Sequence, residues 1–354
     1  MTQRRRTSAA LIATACLAGG VLAMAPAHAA PSPGAGSTGS GSVFMVNPVQ
    51  SSGDQSLTDQ KDAASAVPAS AYATVPLRNL DGSGNLVGKW ANVVSSTGDA
   101  AYSPTNTFTY TRDDDRFEQV MAYFWVNQAQ EYLQSLGFGS TLRPVNAESQ
   151  DVRINQYGVD NSFSWDKKDL LRFGKGGVDD AEDGEVIVHE YGHAVHDAQV
   201  PGFGTSLDAG SIGEAFGDYL SVTVGLDAAR QYGWPVRAPQ PCVADWDSVS
   251  YTSTVPHCLR RLDTSLVLED RKGEVHYDGT IWSGALWDIR QRYVALGLGT
   301  RAWDTTLVDS QFGYAPDTSF SAAAQTTYRT ALARDGRRAA DAVRAGFAAR
   351  HIYF

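Results

Sequence analysis

The chain has 354 residues, 43% hydrophobic and 19% charged, enough apolar material for one or two cores and too much for a chain disordered throughout. With 29 Lys+Arg against 39 Asp+Glu, the net charge of −10 has the wrong sign for a general nucleic-acid binder, which needs a basic surplus on at least one face. Three cysteines exclude a disulfide-dense scaffold.

Arg4, Arg5 and Arg6 precede an apolar, charge-free run from Ala9 to Ala25, and Ala27-His28-Ala29 supplies the small residues a signal peptidase reads. Residues 1–29 are therefore expected to be a secretory signal, which makes the mature protein extracellular. No later run reaches membrane-spanning length, so no stable membrane association is expected. Removal of the signal takes Cys16 and leaves Cys242 and Cys258, an even pair in an exported chain and hence one expected disulfide. Residues 30–42, rich in Pro, Gly, Ser and Ala, read as a flexible leader.

From Val43 to Tyr110, short apolar runs such as Val43 to Val46, Ala73 to Leu77 and Phe108 to Tyr110 are separated by turn residues, the pattern of strands. After Asp113-Asp114-Asp115, the residues Phe117, Val120, Met121, Phe124, Tyr132 and Leu136 recur at helical spacing until Gly137, which predicts a long buried helix over 116–136. Residues 152–174 return to β-like segments. The acidic cluster Asp179, Asp180, Glu182, Asp183 and Glu185 suits either a Ca2+ ion or a solvated face. From about 185 the pattern is mostly helical, with an irregular insert at 232–275.

The chemistry sits in VIVHEYGHAVHD. On a helix His189 and His193 are one turn apart, so both imidazoles project from one face and can share a metal, while Glu190 lies beside them. Zinc held by three protein ligands keeps a position for water, lowers its pKa, and needs an adjacent carboxylate to take the proton. Farther on, SIGEAFGDYLSVTV reads as a second helix on which Glu214 can supply the third ligand. A capping box, Ser211 to Glu214, is the bland alternative for that glutamate at a helix start, set against zinc's need for a third protein ligand. Asp218, one turn beyond Glu214, can accept the second ring N–H of a ligand histidine. His196 occupies no position that a longer zinc motif requires and is expected at the surface or behind the ligands.

These residues resemble the gluzincin metallopeptidases, in particular the thermolysin and fungalysin families. The likeness includes HEYGH followed by Glu214 in an ExxxD pattern, the segment DNSFSW from Asp160 to Trp165, and EVHYDGTIWSGALWD from Glu274 to Asp288. It implies one catalytic Zn2+ on His189, His193 and Glu214, with Glu190 as general base. It implies further that His276 donates to the developing oxyanion and that Asn161 binds substrate backbone. Asp270, Glu274 and Asp278 are all candidates to orient His276. Arg260 resembles the arginine that binds the substrate carbonyl beside the pocket following the scissile bond, with Arg261 as the alternative. Phe163, Val188 and Leu259 suggest an apolar preference there. The tyrosine that precedes the glutamate ligand in thermolysin has no counterpart in residues 200–213, and Tyr277 is the possible substitute. No long inhibitory propeptide is visible either.

The expected fold is therefore α+β, a two-lobed thermolysin-like metallopeptidase with the zinc site in the cleft. Residues 43–200 would form a β-rich N-terminal lobe ending in the HEYGH helix, and 201–354 a mainly helical C-terminal lobe. The expected function is that of a secreted, monomeric zinc endopeptidase acting on proteins or peptides. An aminopeptidase-like exopeptidase shares HExxH and the downstream glutamate, but needs an acidic anchor for the substrate amine, and no GxMEN-like segment precedes the motif. An inactive extracellular binding protein on the same fold is the other alternative. Retention of His189, Glu190, His193, Glu214 and His276 together argues against it.

Overall fold

The computed structural model describes residues 36–94 and 98–354; the expected signal, 1–29, and the start of the expected leader, 30–35, lie outside the described residues. Ser37–Ser42, expected to belong to a flexible leader, instead open strand β1 (Ser37–Phe44). The strand pairs antiparallel with β2 (Tyr72–Leu80) and parallel with β4 (Thr107–Phe108), in sheet order β2-β1-β4. The small residues that mimic a linker serve close packing: a Cβ on Gly41 would lie 2.6 Å from Val120 Cγ1. Between β1 and β2 runs a short helix, α1 (Pro48–Ser52), capped by Asn47, whose side chain accepts from the Gln50 amide.

Helix α2 (Arg116–Ser135) matches the expected long buried helix, and Phe117, Val120, Met121, Phe124 and Trp125 all lie in the core. It is buried on nearly every side, as suits a helix at the centre of a domain. A second sheet combines β3 (Ala91–Val93), β5 (Gln150–Arg153), β7 (Leu170–Arg172) and β6 (Phe163–Trp165) in the order β3-β5-β7-β6. The first three are parallel and β6 is antiparallel to β7, with Ser164 opposite Leu171, so β6 forms an edge.

The acidic run before the zinc motif is buried, not a solvated face: Asp179, Asp180, Glu182, Asp183 and Glu185 all belong to the interior. Most of these carboxylates are satisfied by the protein itself. Glu182 accepts from Arg112 at 2.8 Å and from Trp246 Nε1 at 3.0 Å. Asp183 caps helix α3 (Gly184–Gln199) by accepting from the Glu185 amide, and Glu185 accepts from Gln50 Nε2 and the Ala244 amide.

Helix α4 (Leu207–Gln231) begins at Ser206, whose hydroxyl accepts from the Ala209 amide. Ser211 and Glu214 therefore lie inside the helix, and the capping-box reading of Glu214 does not hold. The irregular insert contains the two-residue strands β8 (Cys242–Val243) and β9 (Arg260–Arg261), which pair antiparallel, and the Cys242–Cys258 disulfide closes the loop between them. Helix α5 (Val275–Ala295) then packs against α4, followed by α6 (Thr300–Gln311), α7 (Phe320–Arg334) and α8 (Arg337–Ala348). Buried Asp304 of α6 accepts from the hydroxyls of Tyr132 on α2 and Tyr219 on α4, tying the helical half to the central helix. The mixture of small sheets and long helices is an α+β, two-lobed architecture. No helix among the described residues is long and apolar enough to cross a membrane.

Candidate metal centre and active site

Helices α3 and α4 cross with their backbones in near contact, because a Cβ on Gly192 would lie 3.0 Å from Gly217 Cα. A Cβ on Gly217 would also come within 2.7 Å of His189 Nδ1, so this glycine makes room for the imidazole itself. The sequence reading missed both residues. The available signal was glycine inside a helical pattern, Gly192 in one helix and Gly217 among several in the other, which reports a close approach.

Across this crossing, His189 Nε2 and His193 Nε2 are 3.2 Å apart. Glu214 brings Oε2 to 3.3 Å from His189 Nε2 and Oε1 to 3.6 Å from His193 Nε2. One donor atom from each of the three falls within 4.8 Å of the others. Glu214 Oε2 is buried and makes no hydrogen bond, and neither does Glu190 Oε2 beside it. Two imidazoles and a carboxylate converging in this way, with unsatisfied buried oxygens, fit a zinc ion.

The surroundings set the charge of each donor. Asp218 Oδ1 lies 2.9 Å from His189 Nδ1, and both its oxygens accept from Arg260, at 2.7 and 2.6 Å. Burial opposes ionisation of Asp218, but Arg260 prevails and holds its pKa near 2. Burial likewise opposes a charge on His189, while the neighbouring Asp218 and Glu214 carboxylates act the other way and raise its pKa. His193, for which burial outweighs Glu214, falls to about 4. The Glu214 carboxyl is held well below the usual range, the burial penalty being overcome by His193 and His189. Glu190 rises to about 7, chiefly because it is buried, against the opposing charge of His189.

His276 stands in the first turn of α5. Its Nε2 is 3.4 Å from Glu214 Oε2, while Nδ1 is 2.6 Å from Glu274 Oε1. Of the three carboxylates considered for this histidine, Glu274 is the one in contact. Asp278 accepts from the Lys272 and Gly273 amides, and Asp270 from the Val267 amide. Arg261 is turned away to Asp263, leaving Arg260 beside the histidines. Asn161 lies in the loop before β6 and lines the same cavity as His189, Glu190, His193, Glu214 and His276. Tyr277 lines an adjoining groove with Arg260, Arg261 and His276, its ring covered by Lys272 Nζ at 3.7 Å. His196 is buried rather than superficial and stacks on Phe203 at 3.9 Å, its pKa pushed down to about 3 by burial. Of the expected apolar pocket residues, Leu259 and Phe163 line cavities at the site, whereas Val188 is wholly buried and lines neither.

The model of the fungalysin metallopeptidase family (M36) matches residues 93–315, a span that contains every residue of this site. No curated protein matches the chain. Among solved structures, the precursor of protealysin, a metalloproteinase from Serratia proteamaculans, aligns at 17% identity with a TM-score of 0.50, over 66% of this chain and 78% of that one. At that identity the likeness is one of fold.

Proposed function

The chain belongs to the fungalysin metallopeptidase family, and from that premise we propose that it is a secreted zinc endopeptidase in which His189, His193 and Glu214 hold the metal and Glu190 is the general base. The observation that carries this reading is the convergence of the three donor side chains within 4.8 Å, beside a buried Glu190 oxygen that has no partner. Zinc bound there supplies the Lewis acidity that activates water and polarises the peptide carbonyl.

The remaining work belongs to the chain's own groups. Asp218 accepts the Nδ1–H of His189 and so leaves the Nε2 lone pair free for the metal, while Arg260 keeps Asp218 ionised and oriented. Glu190, whose buried Oε2 has no hydrogen-bond partner, accepts the proton of the attacking water and hands it to the departing amine. His276, steadied at Nδ1 by Glu274, donates from Nε2 to the carbonyl oxygen as charge builds on it. Asn161 and the free edge of β6 offer hydrogen bonds to an extended substrate backbone. The two lobes, 43–200 and 201–354, would meet where α3 and α4 cross. Secretion rests on the arginines and apolar run of residues 1–29.

The test combines zinc analysis with casein hydrolysis, with and without a chelator, for the wild type and Glu190→Gln. One zinc per chain is expected in both proteins, and proteolysis in the wild type alone, with a loss on the order of 10²–10⁴-fold or more in the variant. A Glu190→Gln protein that cleaves as fast as wild type would overturn the mechanism. Hydrolysis of amino-acid amides but not of blocked internal peptides would indicate an aminopeptidase instead.

A further inference from the structure

A second cavity opens directly beside the catalytic groups, lined at its mouth by Glu190, His276 and Arg260. Its lining is mixed: Val186, Val243 and Leu259 contribute apolar surface, and Asp180 and Asp247 contribute carboxylates. Both aspartates are almost wholly inaccessible, at 2% and 3% exposure, and the Oδ1 atom of each has no hydrogen-bond partner. Asp160 lies close enough that one oxygen from each of the three falls within 4.8 Å of the others. Their hydrogen-bond donors among the described residues are hydroxyls: Ser162 donates to Asp180, and Tyr251 to Asp160. The guanidinium in this cavity, Arg260, is already bound to Asp218 through two contacts. Burial, the largest cause, pushes the Asp180 carboxyl up to about 7 and that of Asp247 well above its usual range, the Arg260 charge opposing the latter only in part.

We propose that this cavity receives the side chain of a lysine or arginine on the amine side of the scissile bond, which makes the protein an endopeptidase that cuts before basic residues. The proposal rests on the endopeptidase reading above. A long cationic side chain matches both parts of the cavity: its methylenes lie along Val186, Val243 and Leu259, and its head supplies donors to the unpaired oxygens of Asp180 and Asp247. Buried carboxylates lacking a partner are costly, so a neutral side chain of equal length leaves that cost in place and is rejected. The amine side follows from the role proposed above for Glu190, which lines this cavity and hands its proton to the departing amine. The apolar preference suggested by Leu259 is thereby replaced by a preference for basic residues.

The zinc-loaded full chain is incubated with a proteome-derived peptide library, and the new termini are identified by mass spectrometry. Lysine or arginine is expected immediately after the cut, favoured over leucine and phenylalanine by roughly tenfold or more. In Glu190→Gln protein, a labelled peptide with lysine at that position is expected to bind about tenfold or more tightly than its norleucine counterpart by fluorescence anisotropy. The Asp180→Asn/Asp247→Asn double variant should abolish that difference. The wild-type profile and the norleucine comparison do not depend on the double variant folding. Cutting before apolar residues, or after basic ones, overturns the pocket assignment and leaves the peptidase reading intact. Absence of cleavage of every peptide defeats the peptidase reading itself, while the binding comparison still decides the pocket. Bound calcium that disappears in Asp180→Asn, with unchanged cut positions, assigns the carboxylates to a resident cation and overturns the proposal.

Discussion

Asp218 links the two charged halves of the site, since one oxygen faces His189 Nδ1 while both accept from Arg260. An asparagine in its place would keep the shape, lose the charge, and leave the half-buried Arg260 without its counter-ion. Asp218→Asn is expected to weaken zinc binding by about 10–100-fold, the usual cost of losing such an outer partner. Competition with a chromophoric chelator measures this, and unchanged affinity would remove Asp218 from the metal centre. At this scale the sequence was legible wherever a helix imposed spacing: His189 with His193, and Glu214 with Asp218, are each one turn apart. It was not legible for Glu274, because a choice among Asp270, Glu274 and Asp278 depends on how the chain turns into α5.

At the scale of elements, the crossing of α3 and α4 depends on glycine. Gly217→Ala would drive a methyl group to 2.7 Å from His189 Nδ1, closer than any real contact of that kind, so the imidazole must move. The expected result is weaker zinc binding with the helix content preserved, read from chelator competition and far-ultraviolet circular dichroism. Wild-type zinc affinity in this variant would show that the ring position is not limiting. The hairpin of β8 and β9 presents Arg260, and its disulfide closes a loop with a sequence separation of 16. Cys242→Ser/Cys258→Ser is expected to lose about 3 kcal/mol of stability, by the loop-closure estimate. The check is a lower Tm than wild type in non-reducing buffer, and equal values would mean that the hairpin is held by other contacts.

For the molecule as a whole, an acidic composition has become an interior property as well as a surface one. Asp179 is buried, and its pKa rises to about 8, first through burial and then through the nearby Asp62 and Glu182 charges. The folded state therefore holds a proton that the unfolded chain, with an ordinary value of 3.8, has already released. The stability contributed by that proton is complete below pH 3.8 and is lost progressively as the pH rises toward 8. Asp179→Asn, which stays neutral, should match wild type in acid and become the more stable protein by several degrees at pH 8, measured as Tm across that range. A difference that does not grow with pH would mean that Asp179 is ionised in the folded protein.

By itself the sequence determined the local order: which stretches are helical, that HEYGH displays two imidazoles on one face, that Glu214 and Asp218 share the next helix, and that Cys242 and Cys258 pair. Helical periodicity and chain count suffice for these, since each depends on residues close together or on there being no other partner. The tertiary structure alone decided that Ser37–Ser42 form a strand, that the acids of 179–185 are buried, that Arg260 rather than Arg261 reaches Asp218, and that Asp160, Asp180 and Asp247 meet beside Glu190. Such outcomes depend on contacts between segments far apart in the chain. A glycine-rich or acidic run reads as a linker or a solvated face until the surface that packs against it is known.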